Sequence, residues 1–144
     1  MQEAIKAVFN LKEYKVIKFT FSEPTRESDG FSIGFAPSGK FTENKTDFTI
    51  NLGFTASLDK TVEDDEQEIL TAEIQAIFEF SEPIEFKNIP DYFFRNSLGI
   101  LFPYLRAFVS TLTFQANLNP PMILPILNLT QLESTFKGNI ELTK

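Results

Sequence analysis

Polar and apolar residues alternate along much of the first half of the chain. From Val16 onward Ile17, Phe19 and Phe21 take turns with Lys18, Thr20 and Ser22. A repeat of two puts the apolar side chains on one face of an extended segment, so a strand is predicted here, ending at Glu23-Pro24. From Asp47 to Leu58 the alternation is stricter: Phe48, Ile50, Leu52, Phe54, Ala56 and Leu58 point one way, and the polar or small residues between them the other. This predicts a long, half-buried antiparallel strand. A third run places Leu70, Ala72, Ile74, Ala76, Phe78 and Phe80 on one face. Between these two runs, Glu63-Asp64-Asp65-Glu66-Gln67-Glu68 has the polarity of a hairpin loop. A short strand, Phe31 to Phe35, follows the turn-like Ser28-Asp29-Gly30.

After Pro83 the period changes. Leu101, Leu105, Phe108, Val109 and Leu112 recur at helical spacing and predict a helix from Phe102 to Gln115, with Pro103 in the first turn, where its missing N–H costs nothing. Asn119-Pro120-Pro121 ends it, and Pro125 keeps the apolar stretch Met122 to Leu129 from being a helix interior. A second short helix is expected near Asn128 or Thr130. Strands first and helices afterwards predict an α+β fold with helices packed on one face of an antiparallel sheet. At 144 residues the chain fits one domain spanning residues 1–144.

Composition narrows the chemistry. There is no His, Cys or Trp, which removes an imidazole base, a thiolate nucleophile, a Cys/His zinc site and any disulfide. Net charge is −7, which argues against nucleic acid as a partner. Five of the twenty acids, Glu63, Asp64, Asp65, Glu66 and Glu68, lie in the one predicted loop, leaving fifteen acids against thirteen bases elsewhere. That loop lacks the glycine and spacing of an EF-hand and reads as a solvated hairpin tip. The run Gly34-Phe35-Ala36-Pro37-Ser38-Gly39-Lys40 matches the glycine-lysine core of a phosphate loop, but Phe41 stands where a hydroxyl must hold magnesium and a strand follows where a helix is required. Glu73 and Glu79 lie about 20 Å apart along one strand, too far for a carboxylate pair. No serine stands in an activating motif. The chain is therefore read as a non-enzyme with no catalytic residue, metal or cofactor. Charged residues interrupt the apolar positions before Thr20, and Pro103 and Arg106 interrupt the stretch from Ile100 to Phe114, so neither a signal peptide nor membrane insertion is expected and the location is read as cytoplasmic. The sequons at Asn44 and Asn128 are read as chance matches.

Seventeen of the twenty aromatic residues are Phe. Phe31, Ile33, Phe35 and Phe41 fall in a Gly- and Pro-interrupted connection, and Met122, Leu124, Ile126 and Leu127 in the proline-broken segment, where polar residues would be ordinary. Two readings stand: the segments pack on each other and complete the core, or they border an apolar groove that binds extended chain. On the helix, Tyr104, Phe108 and Phe114 add apolar width that one sheet cannot cover, which points to an oligomer interface.

The run Ile100-Leu101-Phe102-Pro103-Tyr104-Leu105-Arg106, the Ser/Thr-containing helix that continues it, the proline turn at Pro121 and the stretch Leu124-Pro125-Ile126-Leu127-Asn128-Leu129 carry a resemblance. In this order they resemble SecB, the tetrameric export chaperone that holds preproteins unfolded. The agreement runs from about Phe9 to Leu132, with short matching pieces such as Thr55-Ala56-Ser57-Leu58 in the strand half. The resemblance implies a four-stranded antiparallel sheet with one long helix and one short C-terminal helix on one face, and a homotetramer built as a dimer of dimers. It implies an ATP-independent holdase in protein export whose client groove is bordered by Phe31, Ile33, Phe35, Phe41, Met122, Leu124, Ile126 and Leu127. In SecB an acidic sheet face engages the motor SecA; here Lys18 and Ser22 stand at matching positions and Glu73 alone is acidic, so weaker SecA contact is expected. Some SecB-like proteins serve one dedicated client such as an antitoxin, which is the second expectation. A small apolar-ligand-binding protein is the alternative of another class and requires a closed pocket.

Overall fold

The computed structural model describes residues 8–28, 30–125 and 128–144. Its sheet contains β1 (Phe9–Phe21), β2 (Ser32–Thr42), β3 (Lys45–Leu58), β4 (Gln67–Ile84) and β5 (Ile140–Thr143), in the order β1-β4-β3-β2-β5. The first four pair antiparallel, and β5 joins β2 in parallel. Two helices, α1 (Tyr92–Gln115) and α2 (Leu129–Lys137), lie between β4 and β5 in the chain. The fold is α+β as expected, but the sheet has a fifth strand. Four residues are too few for a period to declare itself, and β5 is placed by the backbone edge of β2, from Gly39 opposite Ile140 to Thr42 opposite Thr143.

The two strictly alternating runs behave as their pattern dictates. Phe48 to Leu58 on β3 and Leu70 to Phe80 on β4 bury every predicted apolar position of the inner face. In β1 the pattern is displaced by two bulges, between Leu11 and Glu13 and between Val16 and Lys18. The strand begins at Phe9, well before Val16. Val16, Phe19 and Phe21 stand opposite Ile74, Ala72 and Leu70, while Ile17 is the extra residue of the second bulge and is exposed.

Phe31 to Phe41 is not a connection with one short strand in it. β2 runs unbroken through Pro37 and Gly39, and Ile33, Phe35, Pro37, Gly39 and Phe41 pair with the inner-face residues Ala56, Phe54, Leu52, Ile50 and Phe48 of β3. Proline is tolerated because its nitrogen points outward. The Gly39 N–H donates to the Asn139 carbonyl at 3.0 Å, away from β3, and Pro37, two residues earlier, shares that direction. Gly39 is required by packing, since a Cβ there would come within 2.7 Å of Phe48 and 2.8 Å of Phe136.

The helix α1 begins at Tyr92, a full ten residues before the predicted start, so Pro103 is interior and not in the first turn. The carbonyl that Pro103 leaves without a helical donor is that of Gly99, and the exposed proline faces away from the core. The buried stripe extends backward through Leu101, Leu98, Phe94 and Phe93. By length and composition α1 could cross a membrane, but this stripe is committed to the sheet.

Phe93 is where helix and sheet interlock. Its ring lies 4.8 Å from Phe9, 5.0 Å from Phe48 and Phe80, 6.0 Å from Phe78 and 5.5 Å from Phe94. Phe41 stacks on Phe48, and Phe136 of α2 reaches both Phe48 and Phe94, so four strands and both helices meet in one aromatic cluster. Arg95 with Glu133 and Lys137 with Asp91 tie α1 to α2 outside it. Phe93→Ala is expected to cost ~3–5 kcal/mol, as for other fully buried aromatics, while Val62→Ser at the exposed hairpin tip stays within ~0.5 kcal/mol of wild type. Urea unfolding followed by circular dichroism checks both.

Candidate functional cleft

The segment joining β1 to β2 crosses the end of the sheet and faces the chain leaving α1. Between them is an open cleft of about 1080 Å³. One wall is Glu23 to Ser28; the other is Ala116 to Pro120; Phe21, Phe31 and Leu58 supply apolar surface between, with Leu118 and the prolines Pro24 and Pro120 at the walls.

The second wall is fixed by the way α1 ends. Asn117 adopts a left-handed conformation with φ of 63°, its N–H donates to the Phe114 carbonyl at 3.1 Å, and the Leu118 N–H donates to the Thr113 carbonyl at 2.9 Å. This is the Schellman arrangement, with asparagine serving in place of glycine. The returning chain is then pinned to the helix by hydroxyls. Buried Thr113 Oγ1 donates to the Val109 carbonyl and accepts from the Met122 N–H, both at 2.9 Å, and Ser110 Oγ donates to the Met122 carbonyl at 3.3 Å. Both polar backbone groups of a buried residue are thus satisfied by side chains of the helix it packs on.

Of the predicted client-binding residues, Phe31 lines the cleft. Ile33 and Phe35 are half-buried, Phe35 against Phe54 at 5.3 Å and Phe102 at 5.8 Å. Phe41, Leu124 and Met122 are core residues, 1%, 1% and 7% exposed, and present no surface to a client in this conformation. For these three the packing alternative holds, because β2 carries Phe41 onto Phe48 and the Thr113 and Ser110 hydroxyls draw Met122 against α1. Ile126 and Leu127 lie outside the described residues. Periodicity does not reveal the remaining cleft residues, since they sit in a connection and a helix stop; their sequence signals were Pro24 and Asn119-Pro120, legible as terminators only.

Of the predicted interface residues on α1, Tyr104 and Phe114 are exposed and Phe108 is half-buried. Phe114 is 68% exposed; Tyr104 stacks on Tyr14 of β1 at 4.1 Å, and Phe108 meets Phe19 edge-on at 5.4 Å. On the outer sheet face Glu73 stands opposite Lys18, so its charge has a base beside it in register. Further along, Asp47 and Glu79 face each other across strands, and Lys12 bridges them at 3.3 and 3.5 Å. The hydrogen bond and charge of Asp47, followed by the charge of Glu79, hold the Lys12 ammonium above its usual value. The glycine-lysine run Gly34 to Lys40 is strand and forms no loop.

Comparison with solved structures places this arrangement. The chain is similar to the SecB-like chaperone Rv1957 of Mycobacterium tuberculosis, solved in complex with a ChAD peptide from the Rv1956 HigA1 antitoxin, with a TM-score of 0.65 over 83% of this chain and 91% of that one. The fold is SecB-like. Sequence identity across the match is 16%, so the SecB-like likeness lies in the arrangement of sheet and helices. By sequence, 59 residues are 42% identical to the "Uncharacterized protein MJ0357" of Methanocaldococcus jannaschii, and the match takes in 41% of this chain and 37% of that relative's length. The chain thus spans well under half of the curated relative it matches. No family model matches the chain.

Within the SecB-like frame, Thr113→Val is expected to destabilise by ~1–3 kcal/mol, because it keeps the shape but leaves the buried Met122 N–H without an acceptor. Thermal unfolding of this variant beside Thr135→Val, whose hydroxyl is exposed and donates only to its own helix, checks the assignment.

Proposed function

We propose that the protein is a non-enzymatic, ATP-independent holdase chaperone that takes extended, unfolded polypeptide into the cleft between the β1–β2 connection and the end of α1. The observation that carries this reading is the cleft itself: open, lined by Phe21, Phe31, Leu58 and Leu118, and at about 1080 Å³ slightly larger than a typical small-molecule pocket. Phe31, with Ile33 and Phe35 on the adjoining strand, is the client-binding set. The aromatic and aliphatic patch at its centre, bordered by polar walls from Glu23 to Ser28 and at Asn117 and Asn119, binds apolar side chains with little demand on sequence. Each client side chain buried contributes ~1.5–3 kcal/mol, so a few of them reach micromolar affinity once ordering costs are subtracted.

A second reading is that the client is one dedicated protein, such as an antitoxin. The support is that the SecB-like neighbour was solved with an antitoxin peptide. The two readings separate on selectivity: a general holdase captures unrelated unfolded chains with similar affinity, a dedicated one prefers a single partner by orders of magnitude.

Assembly belongs to the same proposal. Phe114 is exposed on α1, and Tyr104 and Phe108 lie on the flank of the helix against Tyr14 and Phe19 of β1, an aromatic surface suited to a homotetramer built as a dimer of dimers in the cytoplasm. Docking to SecA is expected to be weak, because Lys18 beside Glu73 offsets the one carboxylate at the matching positions, and an exposed pair contributes ~0–1 kcal/mol.

Suppression of aggregation of a chemically unfolded model protein, without nucleotide, tests the holdase. Phe31→Ser combined with Leu118→Ser is expected to weaken capture at least about tenfold, equivalent to ~1.4 kcal/mol, without loss of the folded state. Unchanged capture by a folded double variant removes the cleft from the mechanism. Light scattering behind a sizing column is expected to give a tetramer mass, and a monomer at micromolar concentration rules out the proposed assembly.

A further inference from the structure

The acidic hairpin loop between β3 and β4 has a task that its charge alone does not disclose. Its backbone is folded on itself: the Thr61 N–H donates to the Asp64 carbonyl at 2.8 Å and the Asp64 N–H to Thr61 Oγ1 at 2.9 Å. Against this anchor lies the β1–β2 connection, the first wall of the cleft. The Thr25 N–H and hydroxyl both donate to Gln67 Oε1 at 2.9 Å, and Gln67 Nε2 donates back to the Glu23 carbonyl at 3.0 Å. Arg26 Nη2 donates to the carbonyls of Asp59 and Asp65, and its Nε lies 3.8 Å from Asp64 Oδ2. The Arg26 side chain is only 19% exposed, whereas that of Asp64 is 55% exposed. Backbone carbonyls, not the carboxylate, therefore form its main seat.

We propose that Gln67 and Arg26 latch the β1–β2 connection onto the β3–β4 hairpin as a strap, and that this latch, by fixing the width of the cleft, sets its affinity for extended polypeptide. The inference rests on the proposed holdase reading and adds two positioning residues to it. Both residues act through the strap. Gln67 belongs to β4 and reaches the strap from behind, and Arg26, although part of that wall, directs its guanidinium into the hairpin. The opposite wall is held by helix-end geometry and the Thr113 hydroxyl, so it does not depend on the latch. Among the described residues, a backbone–backbone bond ties the strap to the sheet at its very start, from the Ser22 N–H to the Ile69 carbonyl at 2.8 Å. Beyond it, side-chain bonds to Gln67 and from Arg26 carry the attachment. With the latch intact the wall is in place before a client arrives; without it, part of the binding free energy goes into ordering the wall.

The experiment compares the full chain with Gln67→Ala, Arg26→Ala and Gln67→Glu. The probe is fluorescein-labelled, reduced and carboxymethylated α-lactalbumin, a permanently unfolded polypeptide, read by anisotropy, with hydrogen exchange of residues 23–28 measured alongside. Gln67→Ala and Arg26→Ala are each expected to weaken binding about tenfold and to raise exchange across the strap, with the sheet and α1 still protected. Gln67→Glu retains the acceptor for Thr25 and loses the donor to Glu23, so an intermediate loss is expected. Wild-type affinity in both alanine variants despite faster strap exchange overturns the inference, as does unchanged exchange. Absence of binding by the wild-type chain overturns the holdase reading instead, and with it this refinement.

Discussion

The rest of the structure hangs on the seating of Phe93. A helix laid on a sheet can slide along it or rotate about its own axis unless something at one end prevents both. Phe93 enters a socket made by Phe9, Phe48, Phe78 and Phe80 from three strands and is backed by Phe94 of its own helix. Edge-to-face and tilted ring contacts are directional, so the socket fixes orientation as well as depth. From that point the 24-residue α1 runs in a direction already chosen, and where it ends is where the second wall of the cleft stands. The richness in phenylalanine is in large part the material of this socket, with only Phe21 and Phe31 directed to the cleft.

A second constraint follows at the far end of the helix. A helix must dispose of its last carbonyls, and here the left-handed Asn117 turns the chain sharply enough that Thr113 can accept the N–H of Met122. Satisfying the backbone of the returning segment and building the wall are one event. The strap opposite has no comparable secondary structure and borrows rigidity from the neighbouring hairpin. The cleft is consequently asymmetric, one side defined by a helix end and the other by side-chain attachment.

What the sequence discloses and what it hides divide along physical lines. The faces of β3 and β4 are legible because each buries one side against helices and leaves the other polar, which writes a period of two. The middle of β2 is hidden because Pro37 and Gly39 replace the expected apolar residues, one tolerated by an outward-pointing nitrogen and the other required by the close approach of Phe136. The early start of α1 is hidden because Pro103 looks like a first-turn residue, and its interior position becomes visible only when the apolar stripe is followed back to Phe93. Of the candidate site, Phe31 is legible as an unexplained aromatic. Arg26 and Gln67 are not, since a polar residue that holds a loop has no periodic signature.

The nitrogen of Pro37 has one further meaning. Strands of 14 and 18 residues in a sheet rich in apolar side chains would be an efficient seed for cross-β growth if either margin were straight and fully bonding. At one margin β2 lacks a donor at Pro37 and β5 covers only its last four residues; at the other, two bulges break the line of β1. In the proposed holdase role the protein would meet unfolded, strand-forming chains, and margins of this kind would keep it from becoming their nucleus. Both margins thus lack the straight, fully bonding edge onto which a further strand would pair.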